Sequence, residues 1–301
     1  MSMSKRVRDA MTLGLASLAL LVAACETGDS GSTDADRATV DAMSGEHAAD
    51  TPNPGADTAV ARRRAVLSER LPYAEVNDEL VYGHFAFPAD MVEPLPAIIM
   101  IHEWMGLNDN IRAMAEKLAG EGYIVLAVDL FGGETATTTE VARVRVQKVI
   151  ENPEPAAENI RQAYNFLTSV AGAPRVGSLG WSFGGGWSLN TAMLFPEELD
   201  ATVIFYGQVT GDDDRLRAIS SPILGLFGAE DKGVTVASVR QFEAALERLR
   251  KNYEIHIYPG AGHAFADPSG NAYNAEAADD AWGKMLEFMG LHLAIEPDEG
   301  A

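Results

Sequence analysis

The chain has 301 residues, 47% of them apolar, enough to fill the core of one large domain or two small ones and too many for wholesale disorder. Its 44 acidic residues outnumber 23 Lys and Arg, and the formal net charge of −21 argues against a nucleic-acid binder that relies on phosphate attraction. A single cysteine, Cys25, excludes an intramolecular disulfide and a zinc site of several thiolates; no metal or organic cofactor is expected.

In chain order, Lys5, Arg6 and Arg8 precede an apolar run from Met11 to Ala24 that is short for a bilayer crossing, the layout of a secretory leader over residues 1–24. The run ends Val22-Ala23-Ala24-Cys25, which resembles a bacterial lipobox, where small residues precede a cysteine that is lipidated and becomes the new N-terminus. The alternative is an ordinary signal peptide with an incidental cysteine. The resemblance implies export and a lipid on Cys25, holding the protein to the bacterial envelope on its periplasmic or cell-surface side, with no other membrane contact. Between Glu26 and Ala61 lie eight acidic residues, one arginine and few large apolar side chains, so residues 25–64 are expected to be a disordered acidic linker. Residues 65–295 then form one α/β domain, and residues 296–301 an acidic tail.

Within the domain, short apolar runs at Ala97–His102, Ile124–Leu130, Val176–Trp181, Ala201–Tyr206, Ile223–Phe227 and Tyr253–Tyr258 read as strands, several buried on both faces. Between them, helical spacing predicts helices over Ile111–Ala119, Ala156–Val170, Gly185–Leu194, Val236–Leu249 and Ala275–Leu293. This alternation specifies an α/β fold, a mostly parallel central sheet with helices on both faces. The stretch from Gly207 to Ser221 is too short for a large cap domain. Ligands of such sheets bind beyond the carboxyl ends of the strands, so the chemistry is sought just after each one.

After the Val176 strand comes Gly180-Trp181-Ser182-Phe183-Gly184 and then a helix, a GxSxG nucleophile elbow with a strand before it and a helix after. A serine hydroxyl needs a base to take its proton, and the base needs an orienting carboxylate. Asp231 follows the Ile223 strand and His263 the Tyr253 strand, giving the order Ser, Asp, His; Glu230 is the nearest rival acid. His84 and His256 lie in strand-like runs, and His292 ends the last helix, where structural or solvated roles are expected. His102 precedes the serine, in His102-Glu103-Trp104-Met105-Gly106, and is assigned a structural role. The backbone amides of Trp104 and Phe183 are the candidate oxyanion hole. Glu103 has two main readings, a resting-state partner of Ser182 or a polar group orienting the loop, with general acid work as a third. Trp104, Met105, Phe131 and Trp187 are candidate pocket side chains, with core packing the leading reading for Trp187.

The segments HEWMG, AVDLFGG, GWSFGGG, LFGAEDKGVT and PGAGHAFAD together resemble, in order and spacing, the dienelactone hydrolase family of α/β-hydrolase fold, from about Val81 to Leu293. The resemblance implies a hydrolase of small esters or lactones that works through an acyl-enzyme, with the family's usual cysteine nucleophile replaced here by Ser182. The family holds its substrate carboxylate with arginines, and the matching positions here are Gly133 and Asp267. With a formal charge of −13 over residues 62–295, neutral short-chain esters or lactones are therefore expected as substrates. The alternatives are a peptidase or thioesterase with the same triad, and a surface-tethered binding protein on a hydrolase scaffold.

Overall fold

The computed structural model describes residues 63–295, together with residues 40, 41 and 45. The predicted leader, Cys25 and the acidic tail lie outside the described residues, as does most of the predicted linker. Within that linker, Val40 is buried and Asp41 pairs with Arg143, so this part of the segment touches the domain.

Eight strands form one sheet in the order β1-β2-β4-β3-β5-β6-β7-β8. β1 (Val66–Val76) and β2 (Glu79–Pro88) make an antiparallel hairpin, and β2 also runs antiparallel to β4 (Ile124–Val128). β3 (Ala97–Ile101), β5 (Val176–Trp181), β6 (Ala201–Phe205), β7 (Ile223–Gly228) and β8 (Tyr253–Tyr258) complete the sheet through parallel pairings. The hairpin is absent from the expected strands. It turns at Asn77 and Asp78, whose φ values of 53° and 63° suit a two-residue turn, and its half-exposed strands lack the continuous apolar runs that mark the buried ones.

The helices are α1 (Asp109–Ala119), α2 (Thr139–Glu151), α3 (Glu154–Asn165), α4 (Phe183–Leu194), α5 (Asp213–Leu216), α6 (Val236–Arg248) and α7 (Ala275–His292). A π-helical turn at Phe166–Val170 carries α3 on to where the sequence predicts its end. Asn108, Thr138, Thr235 and Asn274 cap α1, α2, α6 and α7 by accepting backbone N–H bonds. α2 and α5 were not among the expected helices; α2 carries exposed Val141 and Val144 beside its buried residues, which blurs its apolar stripe.

Alternation along β3 sends Ile99 and Ile101 to the face covered by α2, α3, α4 and α6, and Ile98 and Met100 to the face covered by α1 and α7. All four side chains are fully buried, and burying each is worth about 1.5–3 kcal/mol. The helices thereby lock the sheet, and the loops at its carboxyl edge stand on a rigid base. Three of the predicted strands end early: His102, Asp129 and Tyr206 lie just past β3, β4 and β6, in the loops of that edge. No large cap is present among the described residues, since the Gly207–Ser221 stretch holds only the one-turn α5.

Candidate active site

Ser182 sits between β5 and α4 with φ 51° and ψ −116°, a conformation strained for a residue with a side chain. The elbow survives because its neighbours are glycines. A Cβ on Gly184 would collide with the backbone carbonyls of Ile101 and His102, so only glycine lets the start of α4 lie against the end of β3. This contact puts the amide of Phe183, the first residue of α4, beside the loop that carries Glu103 and Trp104.

The Ser182 hydroxyl lies 2.8 Å from His263 Nε2, and His263 Nδ1 lies 2.8 Å from Asp231 Oδ2. A carboxylate only accepts, so Nδ1 carries the proton and Nε2 is left to accept from the serine. The other Asp231 oxygen accepts from the amides of Gly233 and Val234 at 2.9 and 2.7 Å, which holds the carboxylate in one orientation. The loops of Asp231 and His263 are stitched together: the Glu230 amide donates to the Ala261 carbonyl, and Gly228 lets that strand of backbone pass where a Cβ would strike it. All three side chains are buried, whereas the rival acid Glu230 points to solvent. A hydroxyl that can pass its proton to a neutral imidazole braced by a carboxylate is an activated nucleophile.

The remaining histidines are elsewhere. His84 faces Glu116 at 3.2 Å, His256 lies 3.6 Å from Glu254, and His292 packs edge-on against Phe288. His102 is wholly buried beneath the Glu103 loop. A backbone N–H can only donate, so Nε2 accepts from Leu130 at 3.1 Å and Nδ1 donates to the Glu103 carbonyl at 2.6 Å. Burial pushes its pKa below the ordinary histidine value, against the pull of Asp129, and the ring stays neutral.

Tyr206, read in the sequence as the end of a strand, is a site residue that pattern did not reveal. Its hydroxyl donates to Glu103 Oε1 at 3.2 Å and its ring stands edge-on to His263, centroids 5.3 Å apart. Burial, then the nearby Glu103 carboxylate, pushes its pKa well above the ordinary phenol value, so it donates throughout the working pH range.

Ser182 opens into a cavity of about 490 Å³ walled by α4, the end of α2 and the loop after β6. Of the four predicted pocket side chains, Trp187 is buried in the core, its leading reading, and also lines this cavity; Phe131 lines a neighbouring cavity and packs on His102. Trp104 is buried in the core and Met105 packs against it. Gly133 faces a different cavity, beside Arg70 and Arg112, and Asp267 is occupied by Asn110 and Ser269. Arg215, which lies outside the five motif segments, lines the Ser182 cavity. Among the described residues, no group of three or more His, Cys, Asp or Glu could hold a metal ion.

The model of the dienelactone hydrolase family matches residues 81–293. Two proteins each named "Putative carboxymethylenebutenolidase" align over most of the domain. That of Saccharolobus solfataricus is 31% identical over 241 residues, 68% of this chain and 92% of its own. That of Escherichia coli K12 is 30% identical over 227 residues, 69% and 81% of the two chains. A dienelactone hydrolase-like promiscuous phosphotriesterase from metagenomic libraries, 23% identical, shares the fold with a TM-score of 0.70, covering 76% of this chain and 99% of that one.

Proposed function

Because this chain belongs to the dienelactone hydrolase family and is a hydrolase of ester bonds, we propose that it cleaves small carboxylic esters or lactones through an acyl-enzyme on Ser182. Ser182 Oγ attacks the carbonyl carbon while its proton passes to His263 Nε2, and the amides of Trp104 and Phe183 receive the negative charge that develops on the carbonyl oxygen. The start of α4 adds its dipole to that charge. As the carbon–oxygen bond to the leaving alcohol breaks, His263 returns the proton to it. Water then enters, loses its proton to His263 and releases the acid, and Ser182 recovers its hydrogen. Asp231 keeps the imidazole in the right tautomer and balances its charge when protonated. Glu103 is the orienting group of the loop, a reading supported by its bond from Tyr206.

The observation that carries this reading is the continuous hydrogen-bond chain from Ser182 through His263 to Asp231, 2.8 Å at both steps. The lipobox-like Val22-Ala23-Ala24-Cys25 supports a lipid-anchored, exported enzyme as a second element of the proposal. The deciding experiment assays 4-nitrophenyl esters of increasing length, lactones, a thioester and a peptide amide with wild type and Ser182→Ala. Turnover of esters or lactones that vanishes in the variant is expected. A preference for the thioester or the amide replaces the substrate class, and turnover that survives in Ser182→Ala overturns the mechanism.

A further inference from the structure

Among the described residues, Arg215 is the single charged one on the wall of the Ser182 cavity. It lies on the one-turn α5, among acids that are already engaged: Asp213 holds Arg248 at 2.6 Å, Asp214 holds Arg217 at 3.3 Å, and Asp212 caps the helix by accepting from the Asp214 amide. Arg215 itself has no carboxylate partner among the described residues. Its polar contacts are neutral, Asn190 Oδ1 at 3.4 Å and Met193 Sδ at 3.8 Å.

Ser182, which precedes α4, and Gly186 and Asn190 within it fall at intervals of four and all border the cavity, so they mark its floor from the nucleophile toward Arg215. Asn190 lies eight positions beyond Ser182, roughly 12 Å at the helical rise. Gly186 leaves the middle of the floor bare, and Val149, Ile150, Trp187 and Val209 make the surroundings apolar. His263 is not part of this wall. In the mechanism above His263 protonates the leaving alcohol, so the alcohol lies on its side and the cavity takes the acyl part.

We propose that Arg215 is the anchor for a substrate carboxylate, and that this site takes half-esters of dicarboxylic acids, whose esterified carbonyl reaches Ser182 while the free carboxylate pairs with the guanidinium. A planar monoanion matches the guanidinium fork, and the Asn190 amide adds a neutral donor beside it. The apolar walls accept the methylene chain. The anchor is at neither of the positions matched to the family's arginines, Gly133 and Asp267, and this inference rests on the Ser182 reading.

The test compares mono(4-nitrophenyl) suberate with its methyl ester, which has the same acyl chain and lacks the charge, on wild type, Arg215→Gln and Arg215→Lys. Wild type is expected to favour the free acid by about tenfold or more in kcat/KM, chiefly through KM. The ratio should approach one in Arg215→Gln, stay intermediate in Arg215→Lys, and shrink in wild type as salt is raised. An equal ratio in wild type and Arg215→Gln, or a wild-type preference for the methyl ester, overturns the anchor. If wild type hydrolyses 4-nitrophenyl acetate without favouring the suberate acid, the anchor alone falls. If it hydrolyses none of the three, the Ser182 reading falls with it.

Discussion

The Tyr206 hydroxyl donates to Glu103 Oε1 across 3.2 Å, which ties the residue just past β6 to the loop just past β3. Both flank the nucleophile, because β5 lies between β3 and β6 in the sheet. Tyr206 also has a φ of 37°, so its backbone is held in a strained turn that presents the ring to His263. Tyr206→Phe keeps the ring and removes the donor. It is expected to lower stability by about 1–3 kcal/mol and to reduce kcat as the Glu103 loop loses its tether. Thermal unfolding and esterase kinetics on the purified variant read both effects, and values equal to wild type in both would show that the bond orients nothing.

Ser182→Ala and His263→Ala are each expected to reduce turnover by about 10³-fold or more, and the double variant by little beyond either, since the residues act as a unit. Asp231→Asn should also be severely impaired while folding normally, because an amide at this position can donate to Nδ1 and stabilise the wrong tautomer. A serine-directed phosphonate should label Ser182 in wild type, as read by mass spectrometry. Labelling at another serine would relocate the nucleophile.

His102 gives stability a pH dependence of known sign. Its pKa is depressed in the folded state by burial, while in the unfolded chain it is about 6.5. Between the two values the unfolded chain binds the extra proton. The contribution is therefore fully present above about pH 6.5 and is lost as pH falls below it. His102→Gln should lower stability at neutral pH and flatten the acid limb of the Tm–pH curve relative to wild type. Parallel curves from pH 8 to pH 5 would contradict this assignment.

Gly184→Ala tests how the elbow is built. The added methyl meets backbone carbonyls, which cannot turn away as a flexible side chain would. Destabilisation of about 1–3 kcal/mol or more is expected, together with loss of esterase activity as the start of α4 is pushed off β3. A variant as stable and as active as wild type would mean that β3 and α4 can separate freely, which circular dichroism melts and kinetics together would reveal.

Lipidation of Cys25 is tested on the mature N-terminus. Mass spectrometry is expected to find a diacylglyceryl-modified Cys25 as the first residue, and Cys25→Ser should move the protein from the membrane fraction to a soluble or unprocessed form. An unmodified thiol on Cys25 in the wild type would refute the anchor.

The local pattern was enough for the parts of the molecule whose physics is local. Continuous apolar runs marked the strands β3 to β7, because a strand buried throughout has no polar side to show, while β8, half-buried at the sheet edge, alternates apolar and polar residues. The glycines around Ser182 marked the elbow, because the sharp turn excludes a Cβ, and the positions just after β7 and β8 marked Asp231 and His263. The hairpin of β1 and β2, with one face partly exposed, carries too weak a pattern to mark its strands, and the blurred stripe of α2 likewise hides that helix. What tertiary structure alone decided is the company each residue keeps. Ile150, Trp187, Gln208 and Arg215 border one cavity because parallel crossovers return the chain repeatedly to the same edge of the sheet. Tyr206 meets Glu103 although 103 positions separate them. No local periodicity encodes such meetings, since they follow from the order of the strands in the sheet, and that order is set by how helices and strands bury their apolar faces against one another.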